Sequence, residues 1–154
     1  MIKKENHSLI VKAIENGTVI DHIPQGVVQR VMSMLGLEDC EEEIYMGANL
    51  ESKKMGRKGI IKVSNRYFKD KEINKIALIA PTATVIEIHD FEIKSKTKVQ
   101  IPDEVKNIVK CFNPKCITNK DQVPTRFHVI DKEDLKLRCH YCEKITGRKN
   151  MEYL

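Results

Sequence analysis

Four of the five cysteines in this 154-residue chain form two short pairs near its end. Cys111 and Cys116 are separated by four residues, Cys139 and Cys142 by two, and a stretch of 22 residues lies between the pairs. Two such pairs can bring four thiolates to the corners of a tetrahedron, the geometry that Zn²⁺ accepts in proteins. Because catalytic zinc sites usually keep one coordination position open, four cysteines favour a structural zinc ion, one per chain.

Other roles for these thiols remain as alternatives. Unrelated free thiols and disulfides both require a coincidence of spacing, and nothing in the sequence indicates an oxidising compartment. A redox pair at Cys139 and Cys142 would leave the other pair unexplained. His140, between them, is a possible substitute ligand, although an outward-pointing side chain fits better. Cys40 stands alone and fits a partly buried thiol better than a nucleophile.

The composition indicates a globular protein with a basic surface. Hydrophobic residues make up 41% and charged residues 32% of the 17.8 kDa chain, and the net charge is +5. Such a charge predicts a polyanionic partner: nucleic acid, phosphate or a membrane surface. No apolar run approaches the roughly 18 to 20 residues that span a bilayer. The N-terminal residues lack the apolar core and cleavage site of a signal peptide.

The pattern of apolar residues predicts two domains. Strands are predicted over 8–14, 18–23, 43–50, 59–65 and 84–93, and helices over 27–35 and 70–80. This order is the split βαβ pattern of a ferredoxin-like sandwich, an antiparallel sheet with two helices on one face. The polar segment 94–102 marks a boundary. We therefore predict an α+β domain at residues 1–100 and a small all-β zinc-binding domain at residues 101–154.

Charged side chains interrupt the predicted strands of the first domain, although no nucleophile–base motif is visible there. Asp21 and His22 close one strand, Lys62 lies inside another, and Lys94 and Lys96 follow a third. Lysines that converge from neighbouring strands could neutralise a triphosphate, and Asp21 could accept hydrogen bonds from ribose hydroxyls. On pattern alone, the simpler interpretation is favoured, in which each side chain lies on the solvated face of a half-exposed sheet.

The partner of the zinc-binding domain stays open at this level. Basic zinc ribbons often bind nucleic acid, but the domain has few aromatic residues and no arginine-rich or glycine–aromatic stripe for stacking bases. A protein-binding zinc module is at least as consistent with its chemistry.

Several unusual strings occur in one order along the chain. They are GTVIDHIP at 17–24, MGRK at 55–58 with IIK at 60–62, APTATV at 80–85, and CHYCE at 139–143. With these strings the chain resembles the regulatory chains of aspartate carbamoyltransferase, from about residue 8 to the C terminus. The resemblance implies a non-catalytic, cytoplasmic subunit of an enzyme of pyrimidine biosynthesis.

The resemblance also implies the partners. The first domain would bind ATP, CTP and UTP as effectors, and the zinc domain would contact the catalytic chain. Regulatory chains would dimerise, and three dimers would join two catalytic trimers. Neither nucleic acid nor a membrane would then be a partner, and a basic zinc ribbon that binds nucleic acid is kept as the alternative.

Effector-site residues follow from the resemblance position by position. Asp21 and Lys62 match residues that hold the ribose, Lys96 matches a triphosphate lysine, and His22 lies near the phosphates. Val11, Lys12 and Ile14 match positions around the base and ribose. Phe91 and Ile93 match the far wall of the site, and Lys58 and Ile60 lie near it.

Two positions in the zinc domain match residues that contact the catalytic chain, Asn113 and Glu143. A few positions differ in type from the enterobacterial regulatory chains, which bears on base selectivity and on docking. These positions are Lys12, Ile86, Phe91 and Lys115.

Overall fold

The computed structural model describes residues 13–154. Val11 and Lys12, two of the predicted effector residues, lie outside the described residues, as does most of the strand predicted over 8–14. The chain divides into two compact units, Met1–Gln100 and Ile101–Leu154.

A five-stranded antiparallel sheet and two helices form the N-terminal unit. The strands are ordered β2-β3-β1-β4-β5 across the sheet, and the alternation of strands and helices is the predicted split βαβ pattern. The predicted α+β, ferredoxin-like fold class is therefore confirmed. In chain order the elements are β1 (Gly17–Pro24), α1 (Val28–Met34), β2 (Ile44–Ser52), β3 (Gly56–Ser64), α2 (Asp70–Ile76), β4 (Thr84–His89) and β5 (Glu92–Lys98).

Both helices cover the same face of this sheet. Ile20, Ile61 and Val63 on that face are fully buried. Gly59 of β3 points the same way, and a Cβ built on it would lie 2.0 Å from Val28 Cγ2 of α1. The missing side chain therefore allows α1 to approach the sheet closely. The two helices also contact each other, which leaves the opposite face, called the helix-free face below, without a helix from the described residues.

The segment predicted as one strand over 84–93 forms two strands, so that prediction was wrong. β4 ends at His89, and Asp90 and Phe91 both adopt positive φ angles, of 51° and 65°. The turn is held by hydrogen bonds from the Phe91 N–H to the Glu15 carbonyl (2.8 Å) and from the Asp90 N–H to Asn16 Oδ1 (3.1 Å). As a result, the polar segment after it returns as β5, the edge strand that carries the predicted triphosphate lysine.

The C-terminal unit is built from short strands around its own core. Its strands form a four-stranded sheet, ordered β10-β9-β8-β6, and a two-stranded sheet, β11-β7. Phe127, Leu135 and Leu137 are fully buried between them. The predicted small β domain is confirmed, with a short helix, α3, in addition. The elements are β6 (Glu104–Lys106), β7 (Val109–Lys110), α3 (Ile117–Lys120), β8 (Arg126–Asp131), β9 (Lys136–Cys139), β10 (Ile145–Gly147), a 3₁₀ turn (Arg148–Asn150) and β11 (Glu152–Tyr153).

The helices of the described part are short, with seven residues in α1 and in α2 and four in α3. None of them has the length and apolar character that crossing a membrane requires. The two longer helices instead bury apolar side chains, Val28 and Val31 from α1 and Ile73 and Ile76 from α2.

Candidate functional sites

The four cysteines predicted as metal ligands converge in the C-terminal unit. Their Sγ atoms all lie within 4.8 Å of one another. The Sγ–Sγ distances of Cys111 to Cys142 and of Cys116 to Cys139 are both 3.7 Å. These distances exclude disulfides, whose S–S bond is about 2.05 Å. They agree with the edge of about 3.8 Å of a tetrahedron built from four Zn–S bonds of about 2.3 Å.

The surroundings of the sulfur cluster suit thiolates held by a cation. Burial raises the pKa of the Cys111 and Cys139 thiols, so these groups resist ionisation without a compensating positive charge. Burial also opposes ionisation of Cys142, but hydrogen bonds from the Lys144 backbone and the Asn113 side chain lower its pKa to about 7. The donor set fits a metal ion in a closed shell of four sulfurs, with no position left open for a substrate.

The residues predicted to contact the catalytic chain lie on the loops that carry these cysteines. Asn113 is in the loop between Cys111 and Cys116, where its Oδ1 accepts a hydrogen bond from the Lys115 N–H (3.1 Å). Glu143, exposed and with a φ of 64°, directly follows the last ligand. Both positions lie within two residues of a cysteine of the cluster, so a metal bound there would fix the loops that carry them.

Two predicted effector lysines stand in one row across the helix-free face of the N-terminal sheet. Lys62 of β3 pairs with Val19 of β1, Val19 pairs with Ile86 of β4, and Ile86 pairs with Lys96 of β5. Residues paired directly across antiparallel strands point to the same face. The two lysines therefore lie on one face, three strand spacings or about 14 Å apart.

An apolar floor lies between the two lysines. Phe91 and Ile93 adjoin it at the β4–β5 hairpin with exposed fractions of 65% and 61%, large values for apolar side chains. Ile14 and Ile60 were predicted as effector residues and Ile86 was named for base selectivity. The other floor residues were missed, although two of them, Val19 and Ile88, lie in the β-branched, apolar runs that predicted strands. The buried residues of the floor are Ile14, Val19, Ile86 and Ile88, with Tyr45 and Ile60 packed against them.

A β-bulge lies at Asp21 and His22 of β1. The pairing of β1 with β3 shifts between Ile20 and Ile23, so that Asp21 and His22 together oppose the single residue Ile60. Strict alternation would have sent them to opposite faces, and the bulge removes that constraint. His22 has a φ of 56°, and its buried Nδ1 has no hydrogen-bond partner among residues 13–154.

Charges of opposite sign meet beside this bulge. Lys58 Nζ lies 2.7 Å from Asp21 Oδ1, which also accepts a hydrogen bond from the His22 N–H at 2.6 Å. Burial raises the pKa of the Asp21 carboxyl, but the bonds from Lys58 and His22 outweigh it and hold the pKa below its ordinary value. Burial lowers the pKa of Lys62, against the opposing charge of Asp21. An anionic ligand beside Lys62 would oppose this lowering, because a nearby negative charge favours the ammonium form.

Breaking the ion pair between Asp21 and Lys58 should weaken the N-terminal unit. Both side chains are mostly buried, with 17% and 20% of their surface exposed, and a hydrogen bond between charged groups contributes about 1.5–3 kcal/mol. A double-mutant cycle of Asp21→Asn and Lys58→Met, measured by urea unfolding, should give a coupling energy of that size. Because the carboxyl pKa is lowered on folding, the coupling should persist at neutral pH and vanish as the pH falls through the folded-state pKa, below 3.8.

Comparisons with known proteins match both units. The model of the aspartate carbamoyltransferase regulatory chain, allosteric domain, matches residues 9–100, and that of its metal binding domain matches residues 103–152. The chain belongs to the family of aspartate carbamoyltransferase regulatory chains. It is 49% identical over 150 residues to the regulatory chain of Bacteroides fragilis, covering 97% of this chain and 98% of that protein.

Regulatory chains of two further organisms are also similar to this chain. The chain is 49% identical over 138 residues to that of Pyrococcus furiosus, covering 88% of this chain and 91% of the relative. It is 50% identical over 143 residues to that of Thermococcus sibiricus, with 93% and 94% covered. As a member of this family the chain is a regulatory, non-catalytic subunit with a metal-binding domain, and the function predicted from the sequence is confirmed at that level.

Proposed function

We propose that this regulatory chain binds a nucleoside triphosphate on the helix-free face and passes its effect to a catalytic chain of aspartate carbamoyltransferase. The observation that carries the proposal is the row from Lys62 to Lys96, two cations at the ends of a buried apolar floor. A nucleoside triphosphate has the matching chemistry, with a flat base at one end and a polyanion at the other. ATP, CTP and UTP are the proposed effectors.

The parts of the nucleotide can be assigned to parts of this face. The triphosphate would lie by Lys96, with the His22 ring near it, whose Nδ1 has no hydrogen-bond partner among the described residues. The ribose would lie between Asp21 and Lys62, where a carboxylate can accept from the hydroxyls and an ammonium can donate. The base would rest on the apolar floor toward Phe91, which is exposed and available for contact.

Zinc is the proposed metal in the cysteine cluster. A set of four cysteine thiolates suits Zn²⁺, and the 3.7 Å Sγ–Sγ distances fit its tetrahedral bond length. When bound, the ion supplies structural cross-linking rather than reaction chemistry. Cys111, Cys116, Cys139 and Cys142 would hold it, one ion per chain.

Assembly follows from the same proposal. The loops of Asn113 and Glu143 would contact the catalytic chain, and regulatory chains would pair with each other, three pairs joining two catalytic trimers. An effector changes activity only through its different affinity for two states of such an assembly. Typical coupling energies are about 1–3 kcal/mol.

Calorimetric titration of the metal-replete chain with CTP and with ATP tests the binding function. We expect saturable binding of one nucleotide in the N-terminal unit. A single-stranded oligonucleotide distinguishes the alternative, because a nucleic-acid-binding zinc ribbon would retain it with steep salt dependence. Tight oligonucleotide binding without nucleotide binding would overturn the proposal.

A further inference from the structure

Two histidines meet on the polar face of the C-terminal sheet, apart from the four cysteine sulfurs. His128 Nε2 and His140 Nδ1 are 3.1 Å apart, and the two ring planes are inclined at 49°. His128 pairs with Arg138 across β8 and β9, and His140 is two residues beyond Arg138, so both imidazoles start from the same face. The His140 N–H donates to the Arg126 carbonyl (2.8 Å), which fixes the chain at this point.

The separation of the two nitrogens fits joint coordination of one metal ion. Two nitrogens bonded to an ion at about 2.0–2.1 Å lie about 2.9 Å apart at a right angle and about 3.4 Å apart at the tetrahedral angle. The observed 3.1 Å lies between these limits. The two nitrogens are hydrogen-bonded in the absence of an ion, and coordination would replace this bond by turning both lone pairs toward the ion.

A carboxylate orients the first of these rings. Glu104 Oε1 lies 3.4 Å from His128 Nδ1, and Arg126 Nη2 holds the same oxygen at 2.8 Å. A neutral imidazole carries its proton on one nitrogen and a lone pair on the other. A carboxylate beside Nδ1 favours a proton there, which leaves the Nε2 lone pair free to accept a hydrogen bond or to bind an ion. Metal-binding histidines are typically oriented in this way by an outer carboxylate.

We propose that His128 and His140 form a second site for a divalent transition ion, with Zn²⁺ as the ion tested. Imidazole nitrogens suit zinc, nickel and copper ions. The side chain of His128 is 33% exposed and His140 is exposed, so water can complete the coordination shell. The ion at this site is exchangeable, because two solvent-accessible imidazoles beside the cation of Arg126 bind more weakly than four cysteine sulfurs, three of them buried. It therefore fills after the cysteine site.

Titration of the full chain, with one metal ion already in the cysteine site, tests the second site. We expect calorimetry with Zn²⁺ to show a second, weaker equivalent. His128→Gln and His140→Gln should each weaken it by at least about tenfold, the smallest loss typical even for an outer-sphere partner. Glu104→Gln, which removes only the positioning carboxylate, should weaken it by about 10- to 100-fold. His89→Gln, in the other unit, is the matched control and should leave the second equivalent unchanged.

The imidazole NMR signals of the unmodified chain are a second readout. If the contact between the two histidines were merely structural, these signals would not respond to Zn²⁺. Zn²⁺ beyond the first equivalent should shift the signals of His128 and His140 together, while those of His22 and His89 stay in place. If a variant loses its cysteine-bound metal, the NMR measurement on the unmodified chain still tests the second site. The proposal is overturned if no second equivalent binds, if the two signals do not move, or if binding survives in folded variants that lack either histidine.

Discussion

Replacing Cys139 by serine is expected to unfold residues 101–154 and to abolish assembly with the catalytic chain, while nucleotide binding by the N-terminal unit persists. Structural zinc contributes about 10–16 kcal/mol of apparent binding energy in zinc-finger peptides. A unit of this size rarely obtains more than about 3–5 kcal/mol from its apolar core. Losing the ion therefore removes more free energy than the core can supply.

Metal content and NMR spectra measure this outcome directly. We expect bound zinc to fall from one ion per chain and the dispersed amide signals of 101–154 to collapse, while those of the N-terminal unit remain. Cys40→Ser is the matched control, because Cys40 lies in the other unit and outside the sulfur cluster. Full structure and full assembly in a metal-free Cys139→Ser chain would contradict the structural role of the ion.

Replacing Lys96 by alanine is expected to weaken nucleoside triphosphate binding by about 10- to 100-fold without loss of metal. A hydrogen bond between charged groups contributes about 1.5–3 kcal/mol, and each 1.4 kcal/mol is about tenfold in affinity. Lys96 is exposed on the edge strand β5, so its removal should leave the sheet intact. Calorimetry with CTP and ATP measures the change.

A matched lysine on the other side of the sheet controls for net charge. Lys71 is exposed on α2, which packs on the face opposite the proposed site. Lys71→Ala removes the same charge and should leave affinity nearly unchanged. Equal losses in the two variants would mean that the overall field of the domain, and not a contact at Lys96, attracts the nucleotide.

The sequence predicted the order of elements in the N-terminal unit well because its signals there are local. The β-branched, apolar runs of β1 and β3 and the spacing of apolar residues in α1 and α2 each report on one element. The hairpin after His89 was missed because an apolar, β-branched run predicts one strand, although the apolar alternation breaks at Asp90 and resumes out of phase at Phe91. Its turn depends on hydrogen bonds to Glu15 and Asn16, which are distant in sequence.

The candidate sites show the same difference between local signals, which the sequence carries, and tertiary features, which it does not. The cysteine spacing was sufficient to predict the metal cluster, because the ligand types and intervals carry the chemistry. The sequence pattern could not decide whether the strand lysines are merely solvated or form a site. Only the strand register shows that Lys62 and Lys96 lie in one row. Two tertiary features have no local signal in the sequence: the bulge at Asp21 and His22, and the contact between His128 and His140.

The most direct measurement is the rate of aspartate carbamoylation by a complex of this chain with a catalytic chain, with and without CTP or ATP. We expect either nucleotide to change the rate only when the regulatory chain is present. We further expect the response to disappear in the Lys96→Ala complex, which should assemble normally, and to survive in the Lys71→Ala complex. A response that persists in Lys96→Ala, or that the catalytic chain shows alone, would contradict nucleotide regulation through the helix-free face.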